Sequence, residues 1–224
     1  LGTRMRDRGP EEGSSTNFVK DVLDGLRYTL SHDGTRLVLI LSFCIALFAR
    51  PYMDLLPGYA LDVFDRGTDG VGTMIAASGI GALCCSVFMA LRGRTEGLTK
   101  MLIVFSAVAS IALLFYAILR NFWLASIFMA FVGGGLVVVG IASQSLIQHA
   151  TSNEFQARVI SVYFALTFGV LAIGVLVMGW IAEFAGFRVS FACGAVLSLT
   201  IVLVIGPGLW RRAGDLEAPQ PEKS

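Results

Sequence analysis

The sequence has few charged residues for its length. Of its 224 residues, 15% are Asp, Glu, Lys or Arg and 55% are hydrophobic, whereas about 25% of the residues in a soluble domain are charged. Long stretches of the chain carry no charge at all. This shortage excludes an ordinary soluble domain and indicates a membrane protein.

Patterns that bind metals, nucleotides or nucleic acids are also missing. The four cysteines lie in apolar runs without a Cys-x-x-Cys or Cys/His cluster, so we expect buried thiols with neither a disulfide nor a metal site. No G-x-x-x-x-G-K-[ST] phosphate-binding loop occurs. No basic patch interleaved with aromatic residues indicates nucleic-acid binding. We therefore expect no cofactor, no metal and no nucleic-acid partner.

Six apolar runs are long enough to cross a lipid bilayer. They cover residues 37–59, 71–91, 101–119, 122–147, 159–181 and 189–210. About 20 helical residues, at ~1.5 Å each, cross the ~30 Å hydrocarbon core of a membrane. Because the connections are short, we expect consecutive helices to be antiparallel neighbours. The sequence predicts an all-α membrane protein with six transmembrane helices.

The segments outside these runs are polar. We predict a cytoplasmic linker (1–35), a six-helix transmembrane domain (36–210) and a cytoplasmic tail (211–224). Within the linker, apolar residues recur every three or four positions, which predicts an amphipathic surface helix at about 17–31. The chain begins with Leu1, and no signal-peptide pattern precedes its first span. We expect it to be a piece of a longer protein.

Lysine and arginine are divided unevenly between the two sides of the predicted bundle. Positive charge accumulates on the cytoplasmic side of membrane proteins, so the uneven division predicts that both termini are cytoplasmic. The outer side carries Arg66, Arg120 and Arg188, and Arg50 lies within the first run. The cytoplasmic side carries Arg4, Arg6, Arg8, Lys20, Arg27, Arg36, Arg92, Arg94, Lys100, Arg158, Arg211, Arg212 and Lys223.

Charged residues interrupt the first run. Arg50 and Asp54 are four residues apart and share a helix face, and Pro51 between them is expected to kink the span. Charged residues within a span often mark functional sites, so the pair predicts contact with an anionic substrate or a proton relay through Asp54. A structural alternative stays open. Arg50 lies about 20 Å along a ~30 Å core and can extend to the outer headgroups, and Asp54 is already close to that interface.

Other small or polar residues within the runs have two interpretations each. The glycine triplet 133–135 permits either bending for alternating access or a close helix crossing. Gln144 is either a cavity residue or a partner in an interhelical hydrogen bond. Phe131 is either a packing or lipid-facing residue or part of an apolar pocket. The pattern at 151–154 fits a capping box and predicts only the start of a helix.

Three stretches of the chain resemble a known family. They are residues 25–28 followed by Arg36, residues 50–57, and Gln148 with residues 152–163. The first resembles the surface helix before the family's seventh span. The second resembles the "PY..LLP" ending of that span, and the third resembles the "Q…PDELRGRVMSLY" pattern before the eleventh span. The chain thus resembles the C-terminal half of a major facilitator superfamily permease, most nearly the bacterial group of enterobactin exporters and macrolide efflux proteins.

The chain departs from the family pattern in two places. Ser152 stands where proline is usual, and Gln156-Ala157 replace Arg-Gly. The loop at 92–94 lacks the aspartate of the superfamily's D-R-x-G-R loop, so a gating role does not carry over to it.

The resemblance implies an architecture. The six spans would correspond to spans seven to twelve and form one half of a major-facilitator-type bundle, as two inverted three-helix repeats, 37–119 and 122–210. The first and fourth spans would line the central cavity. An N-terminal six-span half of the same permease would be the partner that supplies the other wall, and the piece alone is expected to be inactive.

The resemblance also implies a function. It implies efflux of a small amphiphilic molecule, of drug or siderophore type, by proton antiport and alternating access in the bacterial inner membrane, with no catalytic residue. The substrate-cavity candidates are Arg50, Tyr52, Asp54, Phe131 and Gln144. The gating or packing candidates are Pro51, Gly133, Gly134 and Gly135.

Two other functions compete with transport. Residues 76–79 read Ala-Ala-Ser-Gly, close to the G-x-S-G of a rhomboid-type intramembrane protease, but neither His32 nor His149 lies within a span to activate Ser78. A membrane scaffold that transports nothing is the other alternative.

Overall fold

The computed structural model describes residues 33–93, 96–149 and 156–217, and all its regular structure there is helical. The helices are α1 (Asp33–Phe48), α2 (Tyr52–Phe64), α3 (Thr68–Arg92), α4 (Leu98–Ile118), α5 (Phe122–His149), α6 (Gln156–Ala185), α7 (Phe187–Arg211) and α8 (Ala213–Glu217). Within this part of the chain, six helical segments are long and apolar enough to cross a membrane. The prediction of a six-span all-α membrane protein is confirmed.

Three sequence predictions lie outside the described residues. They are the amphipathic helix at 17–31, the capping box at 151–154 and the tail beyond Glu217. The side chains of residues 156–158 are likewise not described, so the pairing of Arg158 stays a prediction.

The first span differs from its predicted form in length and continuity. It runs over 31 residues, Gly34–Phe64, instead of 37–59, and it consists of two helices, α1 and α2, separated at residues 49–51. The reason for the break is Pro51, which has no N–H to donate to the Leu47 carbonyl four residues earlier. The Arg50 N–H instead bonds the Ile45 carbonyl five residues back, at 3.0 Å. The predicted kink at Pro51 is an interruption of the helix.

The helix pairs that pack together agree with two three-helix repeats. α3 packs on α5, and α6 packs on α1; α4 packs on α5, and α7 packs on α1. If spans one, two and three are exchanged for spans four, five and six, the α3–α5 pair becomes the α6–α1 pair. The α4–α5 pair likewise becomes the α7–α1 pair, as an inverted repeat requires. α5 therefore lies centrally, between α3 and α4.

The glycine triplet lies where α5 crosses both of its neighbours. A Cβ on Gly133 would overlap the Ser78 carbonyl of α3, whereas one on Gly135 would lie 2.9 Å from Ala109 Cβ of α4. α5 continues without interruption from Phe122 to His149. Of the two interpretations, the geometry favours close crossing, which small residues permit in membrane helices.

Contacts between helix ends define the two ends of the bundle. At the first, which we call the basic end, Leu216 packs against Gly34, and the Glu217 carboxylate accepts hydrogen bonds from the Gly97 and Thr99 N–H groups at 2.6 and 2.9 Å. At the far end, the Tyr59 ring stacks on Tyr116 and Phe191, with centroids 4.6 and 4.7 Å apart. Lys100, near the start of α4, and Arg211, at the end of α7, lie at this end.

Hydroxyl groups join helices in the middle of the bundle. Ser42 of α1 donates to Ser143 of α5 at 2.7 Å, and Ser110 of α4 donates to Ser198 of α7 at 3.0 Å. Such bonds are modest individually, at about 0.6–2 kcal/mol in membrane proteins. They fix which helix faces meet.

The cysteines correct one expectation. None of the four forms a disulfide in the described chain. Cys44 and Cys85 are partly buried, but Cys84 and Cys193 are exposed. The expectation of buried thiols is wrong for these two, because they lie on helix faces that point away from the bundle.

Candidate functional site

A groove opens beside the break in the first span. We call it the polar groove; its volume is about 480 Å³, and residues of α2, α3, α5 and α6 form its walls together with Arg50 of the break. The lining residues are Arg50, Tyr52, Met53, Ser78, Gly79, Ala82, Gly133, Leu136, Val137, Gly140, Ile141, Gln144, Tyr163, Phe164, Thr167 and Phe168.

Arg50 lies near the middle of the first span. The 31-residue segment continues as far as Phe64, about 21 Å beyond Arg50 at ~1.5 Å per residue. The sequence places Arg50 about 20 Å along a ~30 Å core, but because the helical segment continues past Tyr59, Arg50 lies near the midpoint of that segment instead. At this depth the guanidinium needs a polar or charged partner within the protein or its cavity.

The surroundings of Arg50 are polar but not acidic. Its side chain is exposed to the groove, which Tyr52 and Tyr163 also line. Among residues 33–93, 96–149 and 156–217, no carboxylate oxygen lies within 4.0 Å of the guanidinium. Arg50 thus offers its donors to whatever enters the groove.

Two tyrosines form the polar wall around Arg50. The buried Tyr52 hydroxyl shares a 2.8 Å hydrogen bond with Ser78 of α3. The buried Tyr163 hydroxyl lies close to Ser42 and Ser143, which bond each other. The Tyr52 phenol is therefore held in place by α3.

Glycines give the polar groove its width. A Cβ on Gly79 of α3 or on Gly140 of α5 would meet nothing within 4 Å, so both glycines leave open space. Gln144, one turn beyond Gly140 on α5, lines the same space. Its predicted position beside a cavity agrees with this placement.

Two glycines of other helices pack against the break in the first span. Pro51 leaves the Leu47 carbonyl without a helical donor, and the Cα of Gly174 in α6 packs directly against that oxygen. The Cα of Gly194 in α7 packs in the same way against the Phe48 carbonyl. Any larger residue at either position would overlap the carbonyl oxygen.

Two predicted cavity residues lie elsewhere. Asp54 is exposed on α2, does not line the polar groove and forms no ion pair with Arg50. Phe131 is 54% exposed, and its ring lies against Phe128, with centroids 6.4 Å apart. The structure therefore brings together Arg50, Tyr52 and Gln144 but not Asp54 or Phe131, whose roles stay predictions.

Sequence reasoning missed the contribution of α6. Tyr163, Phe164, Thr167 and Phe168 line the groove along one helix face. Their spacing of one and four residues is a signal of a shared face. Nothing in that spacing shows which neighbour the face meets.

The protease alternative finds no support in this arrangement. The Ser78 hydroxyl bonds Tyr52, and Gly133, which packs on Ser78, lies in the same helix as His149. About 24 Å of helix separates these two residues at ~1.5 Å per residue. A serine nucleophile needs a base within hydrogen-bonding distance, and His149 is far from it.

Comparison with known proteins agrees with this architecture. A family described as transmembrane secretion effectors, of the MFS type, matches residues 3–219. A curated relative, an uncharacterized MFS-type transporter called YfmI from Bacillus subtilis (strain 168), is 21% identical over 184 residues, which is 80% of this chain. The chain spans 45% of that relative's length. Six membrane-spanning helices packed as paired repeats, together with a family match over nearly the whole chain, show that the protein belongs to the transmembrane secretion effector family of the major facilitator superfamily.

Proposed function

We propose that the chain is the C-terminal six-span half of a secondary-active permease that exports a small amphiphilic molecule. The observation that carries the proposal is Arg50, a cation in mid-span that faces a polar groove and has no acidic partner among the described residues. The family match supports transport as the activity. The polar groove is then one wall of the substrate cavity.

The lining of the groove suits an amphiphile. Arg50 and the hydroxyl and amide groups of Tyr52 and Gln144 can bind an anionic or carbonyl oxygen of the substrate. The rings of Phe164 and Phe168 offer an apolar surface to its body. A volume of about 480 Å³ lies within the ~300–1,000 Å³ of small-molecule sites.

A second six-span half would close this groove. Met53, which lines the polar groove, is exposed, and so is the neighbouring Asp54. An N-terminal half of the same permease, packed over these residues, supplies the opposite wall. Rocking of the two halves then exposes the groove to one side of the inner membrane at a time, with both termini in the cytoplasm.

Proton coupling is assigned to Asp54. It is the carboxylate of the first span that lies within one helical turn of Arg50. In this scheme Asp54 takes up a proton from outside while the cavity is open there and releases it to the cytoplasm. Asp54→Asn is then expected to abolish proton-driven accumulation but to preserve exchange of substrate down its gradient.

Transport by the full-length protein tests the function. In everted membrane vesicles, a panel of dyes and siderophores identifies a substrate by proton-driven uptake. Arg50→Gln is expected to lower its transport at least about tenfold, because a charge-assisted hydrogen bond contributes about 1.5–3 kcal/mol. Arg50→Lys keeps the charge and retains part of the activity.

The matched control is Arg120→Gln, which removes an exposed arginine from the far end of the bundle. Transport by this variant should equal that of the wild type at the same membrane level. If Arg50→Gln transports as well as Arg120→Gln, Arg50 is not the substrate anchor.

A further inference from the structure

A second groove lies between α4 and α7, two helices that do not line the polar groove. We call it the lateral groove; its volume is about 620 Å³. Its walls are apolar along nearly their whole length, from Ile111 and Val202 to Trp210, and only Arg211 at its basic end is charged. The two grooves share no residue.

We propose that the lateral groove binds an anionic phospholipid from the leaflet at the basic end. One acyl chain lies between α4 and α7, and the phosphate lies against Arg211 and Lys100.

The shape of the groove suits an acyl chain. Its α4 wall extends from Ile103 to Ile111, about 12 Å at ~1.5 Å per residue. One leaflet of the hydrocarbon core is about 15 Å deep. A groove that opens sideways between transmembrane helices at this depth meets lipid, and its apolar walls give water no hydrogen-bond partner.

The basic end of the groove suits an anionic headgroup. The Lys100 ammonium lies over the Trp210 ring, 5.0 Å from its centroid, and Arg211 is exposed beside it. A tryptophan and basic residues at this level are typical of the membrane interface, where they attract anionic lipids.

No acidic side chain in the described part of the molecule cancels these two charges. Neither Lys100 nor Arg211 has a carboxylate oxygen within 4.0 Å there. Glu217, at the same end, is engaged by the N–H groups of Gly97 and Thr99. Both cations therefore remain available to a phosphate.

The far end of the bundle offers a control with the same geometry. The Arg66 guanidinium lies over the Phe122 ring, 4.8 Å from its centroid, and Arg120 is exposed. The pair Arg66→Gln and Arg120→Gln therefore removes the same charge and a similar cation–π contact as Lys100→Gln and Arg211→Gln.

The experiment measures lipid bound to the full-length protein. The protein is purified from membranes, reconstituted in nanodiscs of phosphatidylcholine with one fifth phosphatidylglycerol, and released for native mass spectrometry. We expect the wild type and the far-end variant to retain phosphatidylglycerol above its bulk share. The Lys100→Gln/Arg211→Gln variant should retain at least about fivefold less, since each basic residue near a membrane surface contributes about 1 kcal/mol.

A second variant tests the acyl-chain part of the groove. Ala107→Phe fills the groove from its α4 wall and should lower phosphatidylglycerol retention, whereas Ala90→Phe adds the same ring to an exposed position of α3 and should not. Equal retention by both charge variants, retention of phosphatidylcholine in place of phosphatidylglycerol, or a wild type that retains no lipid above the bulk share would each overturn the proposal. These readouts do not depend on transport.

Discussion

At the residue scale, Arg50 has an unusual position. A buried or mid-membrane arginine is normally paired with a carboxylate or with backbone carbonyls. Here the side chain faces a groove whose near groups are phenols and an amide, and Asp54, four residues on, does not line that groove. Since phenols do not neutralise a guanidinium, the charge is left for a ligand or for the other half of the permease.

Gly140 tests how much of the groove a substrate needs. A Cβ there has free space, so Gly140→Phe is expected to fold normally while its ring occupies the groove beside Gln144. Transport should fall about tenfold or more, because the ring displaces substrate atoms from van der Waals contact. Efflux kinetics in cells that express the full-length protein measure the loss.

The control for this change is Gly72→Phe. Gly72 also has nothing within 4 Å of its built Cβ but lies outside the groove. Normal transport by both variants would show that substrate does not pass Gly140.

The sequence predicts only part of this site. A charge inside an apolar run identifies Arg50, and the neighbouring Tyr52 follows from the same stretch. Tyr163 and Thr167 were not predicted as site residues, because they reach the groove only where α6 packs against α1. That packing depends on a contact between Gly174 and the Leu47 carbonyl, which are far apart in the chain, and no local pattern encodes it.

At the element scale, the first span is a helix broken in the middle. The sequence predicts a kink from Pro51 but not the full length of the span. The predicted run ends at Tyr59. The helix continues to Phe64, since Tyr59 and Ala60 are buried against other helices. Tertiary packing sets the end of the first span at Phe64, and the hydropathy of a single sequence carries no information about such packing.

Gly174 tests whether the break depends on close contact. Gly174→Ala places a methyl group against the Leu47 carbonyl and Pro51, so α6 must move away from α1. We expect a loss of about 1–3 kcal/mol in the free energy of unfolding, measured as a lower Tm in detergent.

Gly169→Ala is the matched control on the same helix. Its Cβ would meet nothing within 4 Å, and alanine is the better helix former by about 1 kcal/mol. Its Tm should be equal to or higher than that of the wild type. A Gly174→Ala protein as stable as Gly169→Ala would contradict the close packing of α6 on the break.

The sequence alone does not decide between the two interpretations of the glycine triplet. Three adjacent glycines are compatible with bending and with close crossing. Only their contacts with Ser78 on one side and Ala109 on the other, in an uninterrupted α5, favour crossing. A gating motion at Gly133–Gly135 stays a prediction.

At the scale of the whole molecule, α8 contacts the start of α1 and the start of α4 at the basic end. Glu217→Ala removes two hydrogen bonds from the first N–H groups of α4. Bonds to a charged acceptor contribute about 1.5–3 kcal/mol each when fully protected, and this site is partly exposed. We expect a lower Tm, because the first N–H groups of α4 lose their acceptor.

Glu183→Ala serves as the control, because Glu183 is an exposed carboxylate in the last turn of α6. Its Tm should stay within about 1–2 °C of the wild type, as is usual for exposed positions. Equal Tm values for both variants would show that α8 does not stabilise the bundle.

The two grooves, for which we propose different functions, lie on different helices. The polar groove uses α2, α3, α5, α6 and the break, whereas the lateral groove uses α4 and α7. The inverted-repeat packing makes this division, because it gives α4 and α7 the same position in their repeats. The sequence predicts six spans and the repeat order by resemblance, but which helices line each groove follows only from the packing.

The central claim, that the polar groove is an aqueous substrate site at mid-membrane, is tested most directly by thiol labelling of Gly140→Cys. All native cysteines of the full-length protein, including the four of this chain, are first replaced by serine or alanine. Val204→Cys, which is 73% exposed on α7, serves as the lipid-facing control. We predict that a membrane-impermeant maleimide labels Gly140→Cys, that a transported substrate protects it, and that Val204→Cys is not labelled. A Gly140→Cys protein that transports substrate but is neither labelled nor protected would contradict the account.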